Sequence, residues 1–197
     1  MARTPSTMLP LGTRAPDFRL PDTDGALLGL DDFPDHKVVL VMFLCNHCPF
    51  VVHIRERLNE LTAAWIDQGV GVIAINSNDA DRYPEDSPAK MAEYKARFAF
   101  PYPYLFDATQ EVALAYHAAC TPDFFLFDES RRLIYRGQLD KSRPGNDVPV
   151  TGDDLEAAIS AALNGWPPLD HQHPSLGCNI KWLDTNLVNY TPNYPTR

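Results

Sequence analysis

The sequence is short of positive charge, of long apolar runs and of cysteine, and each shortage narrows what the chain can do. Its 17 Lys and Arg are outnumbered by 26 Asp and Glu, a formal net charge of −9. That is the wrong sign for a nucleic-acid backbone as principal partner, or for adsorption to anionic lipid. Nothing approaches the ~20 consecutive apolar residues of a membrane span. The opening MARTPSTMLPLGTRAPDF shows no apolar segment followed by a small-residue cleavage site. A cytoplasmic protein that binds neither nucleic acid nor membrane is therefore the expectation. Internal repeats and low-complexity runs are missing as well. With 197 residues, 45% of them hydrophobic and 22% charged, the chain can bury a core without disulfide staples. Its four cysteines are then better read as chemistry than as scaffold.

Two of the four stand three apart in FLCNHCPF, residues 43–50. They follow KVVLVMFL (37–44), a continuous β-branched run of the kind that forms a strand buried on both faces. Behind them Val51, Ile54, Leu58, Leu61 and Trp65 recur at three- and four-residue spacing, the apolar stripe of a helix that Gly69 ends. VGVIAIN (70–76) is a second buried strand, so this stretch reads as a βαβ unit with parallel strands. Upstream, residues 15–33 read as a hairpin turning at Asp24-Gly25. Downstream come a helix over 88–98, a Pro-interrupted strand or loop at 102–107 and a helix over 109–119. Strands at 123–128 and 132–137 form another hairpin, and a helix over 152–165 follows. From Trp166 the composition shifts to Pro, Asn and His with no usable period. The expectation is an α/β fold, a central mixed β-sheet flanked by helices: a domain over 1–165 with an N-terminal β-hairpin and a C-terminal extension over 166–197.

A Cys-x-x-Cys can carry haem, hold a metal or exchange electrons as a dithiol. Haem attachment requires a histidine where Pro49 stands. Zinc requires about four ligands, and neither a second Cys-x-x-Cys nor a His-x-x-x-His is present. Cys45, Cys48, Cys120 and a histidine could still converge on a metal, and an inert buried thiol pair is the plain alternative. For a dithiol, Cys48 is expected in the first turn of the helix, where i and i+3 share a face and the unpaired N–H groups favour a thiolate on Cys45. His47, with Asn46, would stabilise the ionised reduced form and make the pair more oxidising. Cys120 is either a small buried thiol or a third redox thiol. Cys178 is a bystander or a distant resolving cysteine. His171-Gln172-His173 has metal-like spacing but fits a surface pair, His53 lies on the helix surface or beside the site, and 79–88 reads as a solvated acidic loop.

Three segments in this order, LGTRAPDFRLPDTDG, VVLVMFLCNHCPF and ACTPDFFLFDESRRLIYRG, resemble the thioredoxin-like superfamily, in particular its peroxiredoxin-like redoxin branch. The tail HPSLGCNIKW is similar to that of a group of bacterial peroxiredoxin-like proteins. The resemblance implies a thioredoxin-like fold, with Cys45 attacking, Cys48 resolving, and Thr121-Pro122 a cis peptide offering backbone groups to an extended substrate. It implies no cofactor and no metal. Expected partners are protein or small-molecule disulfides and thiols, a thioredoxin- or glutathione-type reductant and a second copy of the chain. The family's helpers are missing: Val38 and Met42 replace the Pro and hydroxyl residue of peroxiredoxins, and Pro122 stands near their Arg. Val39 and Leu44 replace the buried acid and Trp of thioredoxins. The resemblance thus favours thiol–disulfide exchange. Weak thiol peroxidase chemistry resolved by Cys48, Cys120 or Cys178, and a redox-sensing or metal-binding module, are the alternatives.

Overall fold

The computed structural model describes residues 3–187. The apolar run becomes β4 (Val38–Phe43), every residue of it buried, and VGVIAIN becomes β5 (Val70–Asn76). They pair in parallel, with β6 (Tyr104–Phe106) parallel beyond β5. On the other side of β4 lie β8 (Asp123–Phe127) and β9 (Leu133–Gly137), both antiparallel. The result is a five-stranded mixed sheet of order β6-β5-β4-β8-β9, as the apolar runs predict. The N-terminal hairpin is β2 (Arg19–Pro21) with β3 (Leu27–Gly29), and β1 (Arg3–Pro5) precedes it.

Successive strand residues point to opposite faces, and β4 divides accordingly. Val38, Leu40 and Met42 pack with Ile54, Leu58 and Trp65 of α1 (Pro49–Asp67), with Met91 of α2 (Pro88–Phe98) and with Leu155 and Ile159 of α4 (Asp153–Leu163). Val39, Val41 and Phe43 pack on the other face with Tyr116, Phe125 and Phe127, and with Val112 and Ala113 of α3 (Glu111–Ala115). Helix α3 is shorter than the helix predicted over 109–119. Gln110 at its start and His117 beyond its end both take positive φ, 65° and 50°, which a continuing helix does not allow.

The extension carries elements that periodicity does not reveal, β10 (Leu176–Asn179) and α5 (Asp184–Leu187). Strand β10 lies antiparallel between β1 and β7 (Cys120–Thr121), as the middle of a three-stranded sheet. Before reaching it, the chain runs along the outer edge of β9, where Gln172 Oε1 accepts from the Arg136 N–H at 3.1 Å and Gln172 Nε2 donates to the Ile134 carbonyl at 2.9 Å. Edge groups of β9 are thereby satisfied in cis.

Candidate redox site

The site forms where β4 ends. Cys48 is the N-cap of α1, with extended backbone (φ −68°, ψ 122°), and Pro49 is the first helical residue, a position that loses nothing by lacking an N–H. Cys48 therefore sits one residue before the predicted first turn, and the two sulfurs meet across a turn rather than along a helix face. The helix end accordingly acts on Cys48, whose sulfur accepts from the Val51 N–H.

Opposite lies the Thr121-Pro122 peptide, which is cis. Thr121 faces both thiols: its hydroxyl is 3.2 Å from Cys45 Sγ, and its carbonyl, 3.1 Å from Cys48 Sγ, accepts from Cys48 when that thiol is protonated. Cys178, on β10, brings its own Sγ to 2.8 Å from Cys48 Sγ. Cys48 is thus the thiol that both Cys45 and Cys178 contact. All three are buried, at 2%, 0% and 2% exposure for Cys45, Cys48 and Cys178, so at most one negative charge is shared among them.

The surroundings favour Cys48 as the sulfur that carries it. Hydrogen bonds from the Cys178 and Cys45 thiols, helped by the Val51 and Cys178 N–H groups, hold its pKa far below the usual thiol value against the opposing effect of burial. Cys45 moves the other way: burial, its bond to Cys48 and the charge of Asp86 raise it, and the Thr121 hydroxyl only partly offsets them. Cys178 is raised by its bond to Cys48 and by burial. These opposite shifts favour ionisation at the middle sulfur over Cys45 in the reduced site.

His47 and Asn46 are organised by a residue the sequence did not flag. Asp86 lies in the stretch read as a solvated loop, yet its side chain is 0% exposed. A 3₁₀ turn (Pro84–Asp86) tucks it beneath the cysteine turn, with Pro84 and Pro88 on either side. Those two prolines are the one sequence signal that the segment is rigid. Asp86 accepts from the Asn46 N–H (2.7 Å), Asn78 Nδ2 (2.7 Å) and Asn76 Nδ2 (3.2 Å), and lies 2.7 Å from His47 Nδ1. Burial alone would raise its pKa, but the bonds from His47, Asn78 and Asn46 outweigh it and keep the carboxylate below its ordinary value. The same bond raises His47 above an ordinary imidazole against burial. His47 is stacked on Tyr83, rings 5.6 Å apart and 3° from parallel. Its charge is therefore directed at Asp86 rather than at a cysteine. Beside Asn46 and His47 opens a pocket of about 260 Å³ lined with Glu85, Lys90, Glu93 and Arg97.

The remaining candidates separate. Cys120 neighbours Thr121 on β7 but turns away, its sulfur 3.6 Å from the Pro122 carbonyl, and burial with Asp123 raises its pKa. Cys120 and Cys48 are not in the group of potential ligand atoms that gathers among the described residues. The atoms that do gather are those of Cys45, His47 and Asp86, all within 4.8 Å of one another, though Asp86 already serves four donors. His53 bonds Ser142 Oγ at 2.7 Å, while His171 and His173 are exposed.

Comparison with known proteins gives the family. The redoxin family profile matches residues 10–155. The thiol-disulfide oxidoreductase ResA of Geobacillus kaustophilus is 32% identical over 140 residues, 70% of this chain and 76% of the relative. Two crystal structures superpose over nearly the full length. One is an uncharacterized conserved protein from Geobacillus kaustophilus (49% identity, TM-score 0.92, 93% of this chain and 98% of that one). The other is a hypothetical protein from Sinorhizobium meliloti 1021 (51%, TM-score 0.91, 92% and 99%). Both matches extend past residue 155, into the part of the chain that supplies Cys178. On the family match and the ResA identity, the chain belongs to the redoxin family.

Proposed function

We propose that Cys45 and Cys48 are the working dithiol of this thiol–disulfide oxidoreductase, with Cys45 forming the mixed disulfide and Cys48 resolving it. The observation that carries this reading is the contact between the two sulfurs under Thr121, whose hydroxyl serves Cys45 and whose carbonyl serves Cys48. The Cys48 thiolate takes the Cys45 proton as Cys45 attacks a substrate disulfide. One substrate sulfur bonds to Cys45 and the other leaves as a thiolate. Cys48 then returns that proton to the departing thiolate and attacks Cys45 Sγ. The mixed disulfide breaks, the second substrate thiol leaves, and a Cys45–Cys48 disulfide remains.

The pocket lined by Asn46 and His47, the two residues that follow Cys45, supports Cys45 over Cys178 as the side from which substrate comes. Its mixture of Lys90 and Arg97 with Glu85 and Glu93 suits a zwitterionic peptide thiol or disulfide. A thioredoxin- or glutathione-type dithiol or thiol regenerates the reduced form, which fits a cytoplasmic setting where such reductants are abundant. The test uses glutathione disulfide on the Cys48→Ser protein. Glutathione is expected to accumulate on Cys45, since nothing resolves it. Adducts on Cys178 alone, or none, would reject the assignment.

A further inference from the structure

The family resemblance has the Thr121-Pro122 peptide, at the end of β7, offer its backbone groups to an extended substrate. Here that strand, β7, is already paired. Cys178 stands opposite Thr121 and Asn179 opposite Cys120, so β10 fills in cis the place of a substrate strand. Its fit is close. A Cβ on Gly177 would come within 2.0 Å of the Thr121 carbonyl oxygen and 3.1 Å of Pro122 N, so glycine is required for β10 to lie against the cis peptide. The strand is also well anchored. Arg3, Thr4 and Pro5 of β1 flank it on its other side. Past its end, the Ile180 N–H donates to Ala119 O at 3.1 Å and the Lys181 N–H to Asn78 Oδ1 at 2.8 Å. Cys178 is thus held, not transiently present, with its sulfur against Cys48.

We propose that Cys178 is the third thiol of the redox site and exchanges with the Cys45–Cys48 disulfide to give a Cys48–Cys178 disulfide. The inference rests on Cys45–Cys48 being the working pair. Cys178 gives up its proton and its sulfur attacks Cys48 Sγ. The Cys48–Cys178 bond forms, the Cys45–Cys48 bond breaks, and Cys45 leaves as a thiolate that takes up the proton. Two electrons' worth of oxidation is conserved, and no outside oxidant is needed. Cys48 is the sulfur under attack because it is the one both others touch. The exchange stores the oxidising equivalent under β10 and returns Cys45 as a thiol, next in the chain to Asn46 of the pocket.

The full chain is oxidised with one equivalent of glutathione disulfide, quenched with acid, alkylated and mapped. Trypsin leaves Cys45 and Cys48 on one peptide, after Lys37 and up to Arg55, and Cys178 on another ending at Lys181, so the two linkages differ in mass. The wild type is expected to yield both linkages and Cys178→Ser the Cys45–Cys48 linkage alone. Cys45→Ser is expected to yield Cys48 cross-linked to Cys178. Gly177→Ala, which leaves every thiol in place, should lower the Cys48–Cys178 fraction at least tenfold and keep Cys45–Cys48. A wild type and Gly177→Ala that both form Cys45–Cys48 and never Cys48–Cys178, whatever Cys45→Ser does, would overturn the exchange and leave the dithiol intact. A wild type without the Cys45–Cys48 linkage would overturn the reading beneath it.

Discussion

Replacing Asp86 by Asn tests the buried acid that sequence reading passed over. The substitution keeps the size of the side chain but sets an amide N–H₂ against groups that donate to it. His47 loses its carboxylate, and one of the amide donors from Asn46, Asn76 or Asn78 faces another donor. Hydrogen bonds to a charged group are each worth about 1.5–3 kcal/mol, and breaking one side of a buried ion pair costs about 3–5 kcal/mol. A loss of about 3–4 kcal/mol in urea unfolding at about pH 5 is the expectation. The pH dependence follows from two shifts. Asp86 is lowered, so its contribution is present above the ordinary carboxylate pKa and lost as pH falls through the lower folded value. His47 is raised, so its contribution is full below the ordinary imidazole pKa and lost as pH rises through the higher folded value. The gap between wild type and Asp86→Asn should therefore be widest between about pH 4 and about pH 6.5 and narrower at about pH 9. The same change removes a negative charge that raises Cys45. That favours the ionised reduced form, so the reduction potential should rise. A stability gap equal at pH 5 and pH 9, or an unchanged potential, would refute the reasoning.

Removing His47 instead, as His47→Ala, leaves Asp86 uncompensated beside Cys45 and should lower the potential, the opposite sign to Asp86→Asn in the same glutathione titration. Thr121→Val deletes the hydroxyl 3.2 Å from Cys45 Sγ. The loss of a bond worth about 1 kcal/mol should slow Cys45 alkylation by iodoacetamide roughly fivefold at fixed pH. Cys120→Ser, whose sulfur turns toward the Pro122 carbonyl, should leave insulin reduction within about twofold of wild type, a ΔΔG‡ under about 0.5 kcal/mol. Val38 and Met42 are buried in β4 and carry no donor for a peroxide oxygen, so hydrogen peroxide consumption followed by stopped flow should be at least a hundredfold slower than reduction of glutathione disulfide.

Much of the fold was legible because it rests on local pattern. The β-branched apolar runs within 37–44 and 70–76 read as buried strands, and the stripe from Val51 to Trp65 as a helix between them. The closeness of Cys45 to Cys48 and the cis Thr121-Pro122 peptide were legible through motif and order. What stayed hidden depends on contacts between distant residues. Asp86 lies in an acidic loop whose composition signals solvent, and only the convergence of Asn46, His47, Asn76 and Asn78 makes it a buried acid. Residues 176–179 have no strand alternation, and β10 exists because β1 and β7, far apart in sequence, pair with it on both sides. The ionised sulfur was expected on Cys45 from the helix end. Two neighbouring thiols and the Val51 N–H favour Cys48 instead, and one of those thiols comes from the segment in which no pattern was visible.

The most direct test of the Cys45–Cys48 assignment is equilibration of the protein in glutathione buffers of graded ratio, followed by acid quench and mass mapping of the peptide ending at Arg55. Loss of two hydrogens from that peptide along a single two-electron curve, abolished in Cys45→Ser, is the expected result. A peptide that keeps both thiols at every ratio, or that gains separate glutathiones without joining them, would contradict the dithiol mechanism.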